Sequence, residues 1–90
     1  MIQTFRHKGL AELWSKGASK KIDARMKARI MRRLEALEAA EEAEDLDVPG
    51  FDFHSLKGTG RYSIHVNGPW CVTFEFEDGH AYRVDYEQYH

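Results

Sequence analysis

Three runs in the last third of the chain alternate with a period of two. Tyr62, Ile64 and Val66 oppose Ser63, His65 and Asn67. Trp70, Val72, Phe74 and Phe76 oppose Cys71, Thr73 and Glu75. Tyr82, Val84 and Tyr86 oppose Ala81, Arg83 and Asp85. Such alternation predicts strands with one buried face, and Asn67-Gly68 and Asp78-Gly79 between the runs are strong hairpin signals. Earlier in the chain the period lengthens. Leu10, Leu13 and Trp14 stand at i, i+3 and i+4, predicting a short helix over residues 8–15 that Gly17 ends. Met26, Ile30, Leu34 and Leu37 share one face of a single long helix predicted over residues 22–44, capped by Asp23 or Ser19 and stopped by Val48-Pro49-Gly50. Residues 1–5 alternate as a short strand. The order β-α-α-β-β-β predicts an α+β fold, with helices packed on one face of a mainly antiparallel sheet. The other face is polar and free to carry a site.

Length narrows the picture. A chain of 90 residues buries only about 60% of its unfolded surface, so residues 1–90 are expected to form one domain. No apolar run approaches the roughly 20 residues that span a bilayer, and the first residues lack the apolar stretch of a secretory signal, so the expectation is a cytoplasmic protein with no membrane partner. A lone cysteine, Cys71, excludes an internal disulfide and a multi-cysteine zinc site.

The net charge of -2 conceals a segregation. Residues 1–33 carry ten Lys/Arg and two acids, residues 34–52 eight acids and no base, and residues 53–90 three bases and five acids. A local basic surface attracts phosphate whatever the far side carries. In the predicted long helix Arg25, Lys27, Arg29, Arg32 and Arg33 precede Glu38, Glu41, Glu42 and Glu44. The helix macrodipole prefers the reverse, and Glu38–Glu42 is a like-charge pair. A helix tuned only for stability would not choose this layout, which points to a charged partner.

The chain contains no P-loop, dinucleotide-binding turn, Gly-x-Ser-x-Gly elbow or zinc helix. Gly58-x-Gly60 reads as a tight turn, and the five histidines show no helical metal spacing. In Phe51-Asp-Phe-His-Ser-Leu-Lys57-Gly58, His54 and Lys57 are bracketed by apolar residues; from the residues alone His54 is equally an ordinary surface histidine or a site. Tyr86-Glu-Gln-Tyr89-His90 is either a frayed end or an aromatic continuation of the last strand. Cys71 reads as filler on the polar face.

Taken together, several segments resemble the HigB toxins of the RelE superfamily. They are Met1-Ile2, Phe5-Arg6-His7-Lys8-Gly9-Leu10, Leu46-x-x-Pro49-Gly50-Phe51 and His54-x-Leu56-Lys57-Gly58, followed by Trp70-x-x-Thr73-Phe74-x-Phe76-x-Asp78-Gly79 and Tyr82-x-Val84-Asp85-Tyr86-Glu87-x-Tyr89-His90. The resemblance runs nearly end to end. It implies helices on an antiparallel sheet, a concave site, and ribosome-dependent, metal-independent mRNA cleavage by 2′-hydroxyl attack on the adjacent phosphate, with no cofactor. His54 and His90 would then be acid–base groups, since an unperturbed imidazole titrates near pH 6.5. Lys57 would bind phosphate, or serve as a base where burial lowers its pKa, and Tyr89 would orient the nucleotide, with Arg61, Arg83 and Gln88 as further RNA-binding residues. Lys20, Lys21, Arg25, Arg29, Arg32 and Arg33 would dock on ribosomal RNA. The implied partners are the ribosome and mRNA, and a HigA-type helix-turn-helix antitoxin that links the toxin to operator DNA only indirectly.

The departures define an alternative. The resembled family commonly has arginine at the positions of Cys71 and, nearby, Asn67, and an acid where Gln88 stands. A chain lacking those charges could be a weakened or inactive toxin that binds antitoxin and regulates transcription.

Overall fold

The computed structural model describes residues 1–89. Helix α1, Lys8–Lys16, buries Leu10 and Leu13 and ends at Gly17 in the left-handed conformation. His7 caps it: Leu10 N–H donates to His7 Nδ1 at 3.2 Å. A 3-10 turn, Ala24–Met26, follows, with Asp23 accepting from Arg25 N–H. Helix α2 spans Lys27–Ala39 and buries Ile30, Arg33, Leu34 and Leu37.

The single long helix expected over residues 22–44 is therefore corrected at both ends. Ala40 leaves helical geometry (φ -67°, ψ 138°), and a separate 3-10 turn, Ala43–Leu46, begins beyond it. The acidic run explains the break. Continued as helix, it would pile carboxylates on the negative end of the dipole; instead Glu44 and Asp45 lie in the first turn of a new helix, where the dipole favours them. Asp45 Oδ2 accepts from the N–H groups of Glu41 and Glu42 at 2.9 and 3.1 Å, and Ala43 and Leu46 turn into the core. The Glu38–Glu42 pair is not a helical pair. The basic half keeps its unfavourable layout, for α2 has no acid in its first turn and no side-chain cap.

Four strands follow: β1 His54–Leu56, β2 Arg61–Asn67, β3 Trp70–Glu77 and β4 His80–Gln88. They form an antiparallel meander in the order β1-β2-β3-β4. Residues 1–5 do not form a regular strand but run parallel to β4, bridging Ile2 to Ala81 and Phe5 to Val84. The helices pack on one face, where Ile64, Val72, Phe74, Ala81 and Val84 are fully buried against Leu10, Ile30, Leu34 and Leu37.

Asp78-Gly79 forms the β3–β4 hairpin as expected, both residues having positive φ. The β2–β3 turn is shifted by one residue, because Asn67 pairs with Trp70 and leaves Gly68-Pro69 at the centre. Gly68 has φ 56°, and the proline ring fixes the next φ as negative; that sign pattern belongs to a type II′ turn and demands glycine first. Two bulges bend the sheet. One adds Val66 to β2 opposite the β3 start; the other, in β4, places Arg83 at φ 49°.

Candidate active site

The polar face of the sheet holds a cleft of about 560 Å³ at its β1 side. His54, Lys57 and Tyr89, three of the residues singled out from the sequence, line it together with Asp52, Ser63, His65 and Cys71. Antiparallel register brings them there. His54 pairs with Ser63, Ser63 with Thr73, and His65 with Cys71, so these side chains share one face. His90 lies outside the described residues.

His54 is exposed, and its Nε2–H donates to Asp52 Oδ1 at 3.1 Å. Because a carboxylate only accepts, this contact assigns the proton to Nε2 and leaves Nδ1 as the basic atom of the neutral ring. Tyr89, 42% exposed, keeps its ring accessible while its backbone is tied down. Its N–H donates to the Pro69 carbonyl at 2.7 Å, and its carbonyl accepts from the Cys71 thiol at 3.4 Å. Cys71 thereby has a structural role. Burial, then the negative charges of Asp52 and Glu87, push its pKa up, so it stays a protonated, weakly nucleophilic thiol at neutral pH.

Arg61 shares the polar face with Ser63 and His65 but does not line the cleft. Its guanidinium turns across β3, donating to Glu75 at 3.2 Å, to Thr73 Oγ1 at 3.0 Å and to the Arg83 carbonyl at 3.0 Å, which the β4 bulge presents to it. Thr73 passes the chain on by donating to Glu87. Arg83 is exposed, with its side chain 3.9 Å from the same Glu75. Gln88 is exposed opposite Trp70, turned by strand alternation to the face away from Glu87.

Of the six residues expected on a basic docking surface, five are exposed: Lys20, Lys21, Arg25, Arg29 and Arg32. Arg25 is clasped by Asp23, with Nε and Nη2 at 3.2 and 2.8 Å, and the pair holds the Asp23 carboxyl down to about 2. Arg33 is a correction. It is 6% exposed and points inward, over the Phe51 ring at 4.6 Å, and it donates to the carbonyls of His65, Arg29 and Gly50. Burial, and after it the charges of Arg32 and Arg29, lower its pKa. Its place three residues after Ile30 and four before Leu37, both on the apolar stripe, was the available sign that it borders the core.

Sequence reasoning missed Asp52, Ser63 and the Thr73–Glu87 contact, and it gave His65 no role beyond its place in the strand alternation. Alternation had put Ser63 and His65 on the polar face; only register shows that they meet His54. Among the described residues, no group of three or more His, Cys, Asp or Glu is arranged to hold a metal ion.

An open antiparallel sheet backed by two helices gathers an imidazole, an ammonium and a phenol on its free face. The chain belongs to the HigB-like toxin family, described as RelE-like toxins of type II toxin–antitoxin systems, whose model matches residues 3–90. Within that class it is similar to Endoribonuclease HigB of Proteus vulgaris, 41% identical over 92 residues that cover 100% of both chains. The protein is thus a type II toxin, and its class implies an antitoxin partner. No helix among the described residues is long and apolar enough to cross a membrane.

Proposed function

We propose that the protein is an endoribonuclease that cuts mRNA in the ribosome, in the cytoplasm, by attack of a 2′-hydroxyl on the adjacent phosphate. The observation that carries this reading is His54 in its cleft, tautomer set by Asp52, beside Lys57 and Tyr89. His54 Nδ1 takes the 2′-hydroxyl proton as the 2′-oxygen bonds to phosphorus. Lys57 meets the charge that develops on the non-bridging oxygens, and Tyr89 stacks on or hydrogen-bonds the nucleotide. The 5′-oxygen leaves with a proton, which His90 supplies by resemblance. The similar Proteus vulgaris protein bears the name of an endoribonuclease, which supports the reaction class. The exposed Lys20, Arg29 and Arg32 suit docking on ribosomal RNA.

Cleavage of ribosome-bound mRNA tests the proposal. His54→Ala and deletion of His90 are each expected to lower the rate by about 10²–10⁴-fold. No cleavage by the unmodified protein would remove the enzyme reading, while undiminished cleavage by both variants would refute this assignment of roles. One observation favours a second reading, a weakened toxin that binds a HigA-type antitoxin and tunes its hold on operator DNA. Lys57 is the one permanently charged cation lining the cleft among the described residues, and Arg61 is engaged by Glu75. Tight antitoxin binding by a protein that does not cleave mRNA would select it.

A further inference from the structure

A phosphodiester under attack becomes more negative, and the cleft has little charge to meet it. Lys57 is its one permanent cation among the described residues. Asp52 in the wall, and Glu87 paired across the strands with Cys71, add negative charge.

His65 stands where a second cation is needed. His54 pairs with Ser63, and His65 lies two residues further along β2 on the same face. Such diagonal neighbours are roughly 7–8 Å apart, and a phosphate whose oxygens come within about 3 Å of each ring fits between them. His65 is also held at three points. Its N–H donates to the Phe51 carbonyl at 2.6 Å, its carbonyl accepts from Arg33 Nε at 2.9 Å, and its ring Nε2–H donates to the Gly68 carbonyl at 2.9 Å. A carbonyl only accepts, so Nε2 carries a proton in both charge states and Nδ1 is the atom that gains or loses one. Protonated there, the ring is a cation with a donor still free.

We infer that His65 is a second phosphate-binding cation of this cleft, its Nδ1–H donating to a non-bridging oxygen of the scissile phosphodiester. The inference rests on the cleavage reading above and names a group that reading does not use. The groups around His65 are Asp52, His54 and Lys57 from the β1 side, Cys71 on β3, Glu87 on β4, Tyr89 just beyond its end, and Arg33 from α2. Asp52 and Glu87 favour the imidazolium, and Lys57, Arg33 and a charged His54 oppose it. Cys71 stays uncharged, and the substrate phosphate is the anion that the imidazolium meets.

Single-turnover cleavage of ribosome-bound mRNA from pH 6 to 8.5, with His65→Ala and His65→Arg, tests this. His65→Ala is expected to slow cleavage roughly 10- to 100-fold at pH 6.5. His65→Arg, which keeps a cation at every pH tested, should stay within about threefold of the unmodified rate. Equal rates for His65→Ala and the unmodified protein would overturn the inference while leaving the cleavage reading intact. So would His65→Arg as slow as His65→Ala, which would mean that the site needs an imidazole rather than a charge. If the unmodified protein does not cleave, NMR titration of that protein with a nucleoside 3′-monophosphate still decides the phosphate site. Binding should move the His65 ring resonances toward their low-pH positions, and unmoved resonances would overturn the site.

Discussion

Arg33 carries its charge inward with no carboxylate among the described residues to meet it, among carbonyls and the Phe51 ring. The arrangement joins three parts of the chain that share no secondary structure: helix α2, the turn at Gly50, and β2 where the strand runs past the end of β1. Replacing it by a long apolar side chain keeps volume but takes the side-chain donor from the His65 and Gly50 carbonyls. Arg33→Met is expected to cost about 3 kcal/mol in urea unfolding, against less than about 0.5 for Arg32→Met on the exposed side. A matching small loss for both would mean that water takes over the carbonyls. Charge alone therefore says little about what a residue does. Arg33 and Arg32 are adjacent in sequence, yet one belongs to the interior and the other to the surface.

Elements were legible where one period dominated. Helix α1, β2, β3 and β4 fall close to their predicted spans because alternation and the i, i+3, i+4 spacing admit one buried face each. The long helix was misread because Leu37 continues the apolar stripe up to a point where charge, which periodicity ignores, ends it. The site was legible in part. His54, Lys57 and Tyr89 stood out by their setting and by resemblance; His65 and Ser63 did not, because their meeting with His54 depends on pairing register. The Gly68-Pro69 turn and the Val66 bulge help to set that register. Gly68→Ala puts a side chain at φ 56°, with an expected cost of about 1–2 kcal/mol. A fall of roughly 4–8 °C in Tm per kcal/mol would report it in a thermal melt. Because the Gly68 carbonyl also holds the His65 ring, cleavage by this variant is expected to fall even at temperatures where it is folded.

Across the whole molecule, most of the bases lie on α1, α2 and the turn between them, and most of the acids on residues 41–47 and the sheet. Binding to an RNA-rich surface through the basic side must weaken with salt, since each neutralised phosphate releases counterions. The double variant Arg29→Glu, Arg32→Glu changes exposed residues only. It is expected to leave the melt within a few degrees of the unmodified protein. The dependence of log affinity for ribosomes on log salt should fall by about one for each phosphate that is no longer neutralised. An unchanged slope would remove this side from the proposed ribosome contact.

Helix α2 meets solvent with Arg29 and Arg32 and grips the cleft wall with Arg33. It is a lever with a handle outside and a hook on His65. Any partner that tilts it must drag the His65 carbonyl along or release it. The two ends are then thermodynamically linked, and linkage runs both ways. A substrate seated against His65 would change how firmly the helix accepts that partner, by the same factor with which the partner changes the grip on substrate.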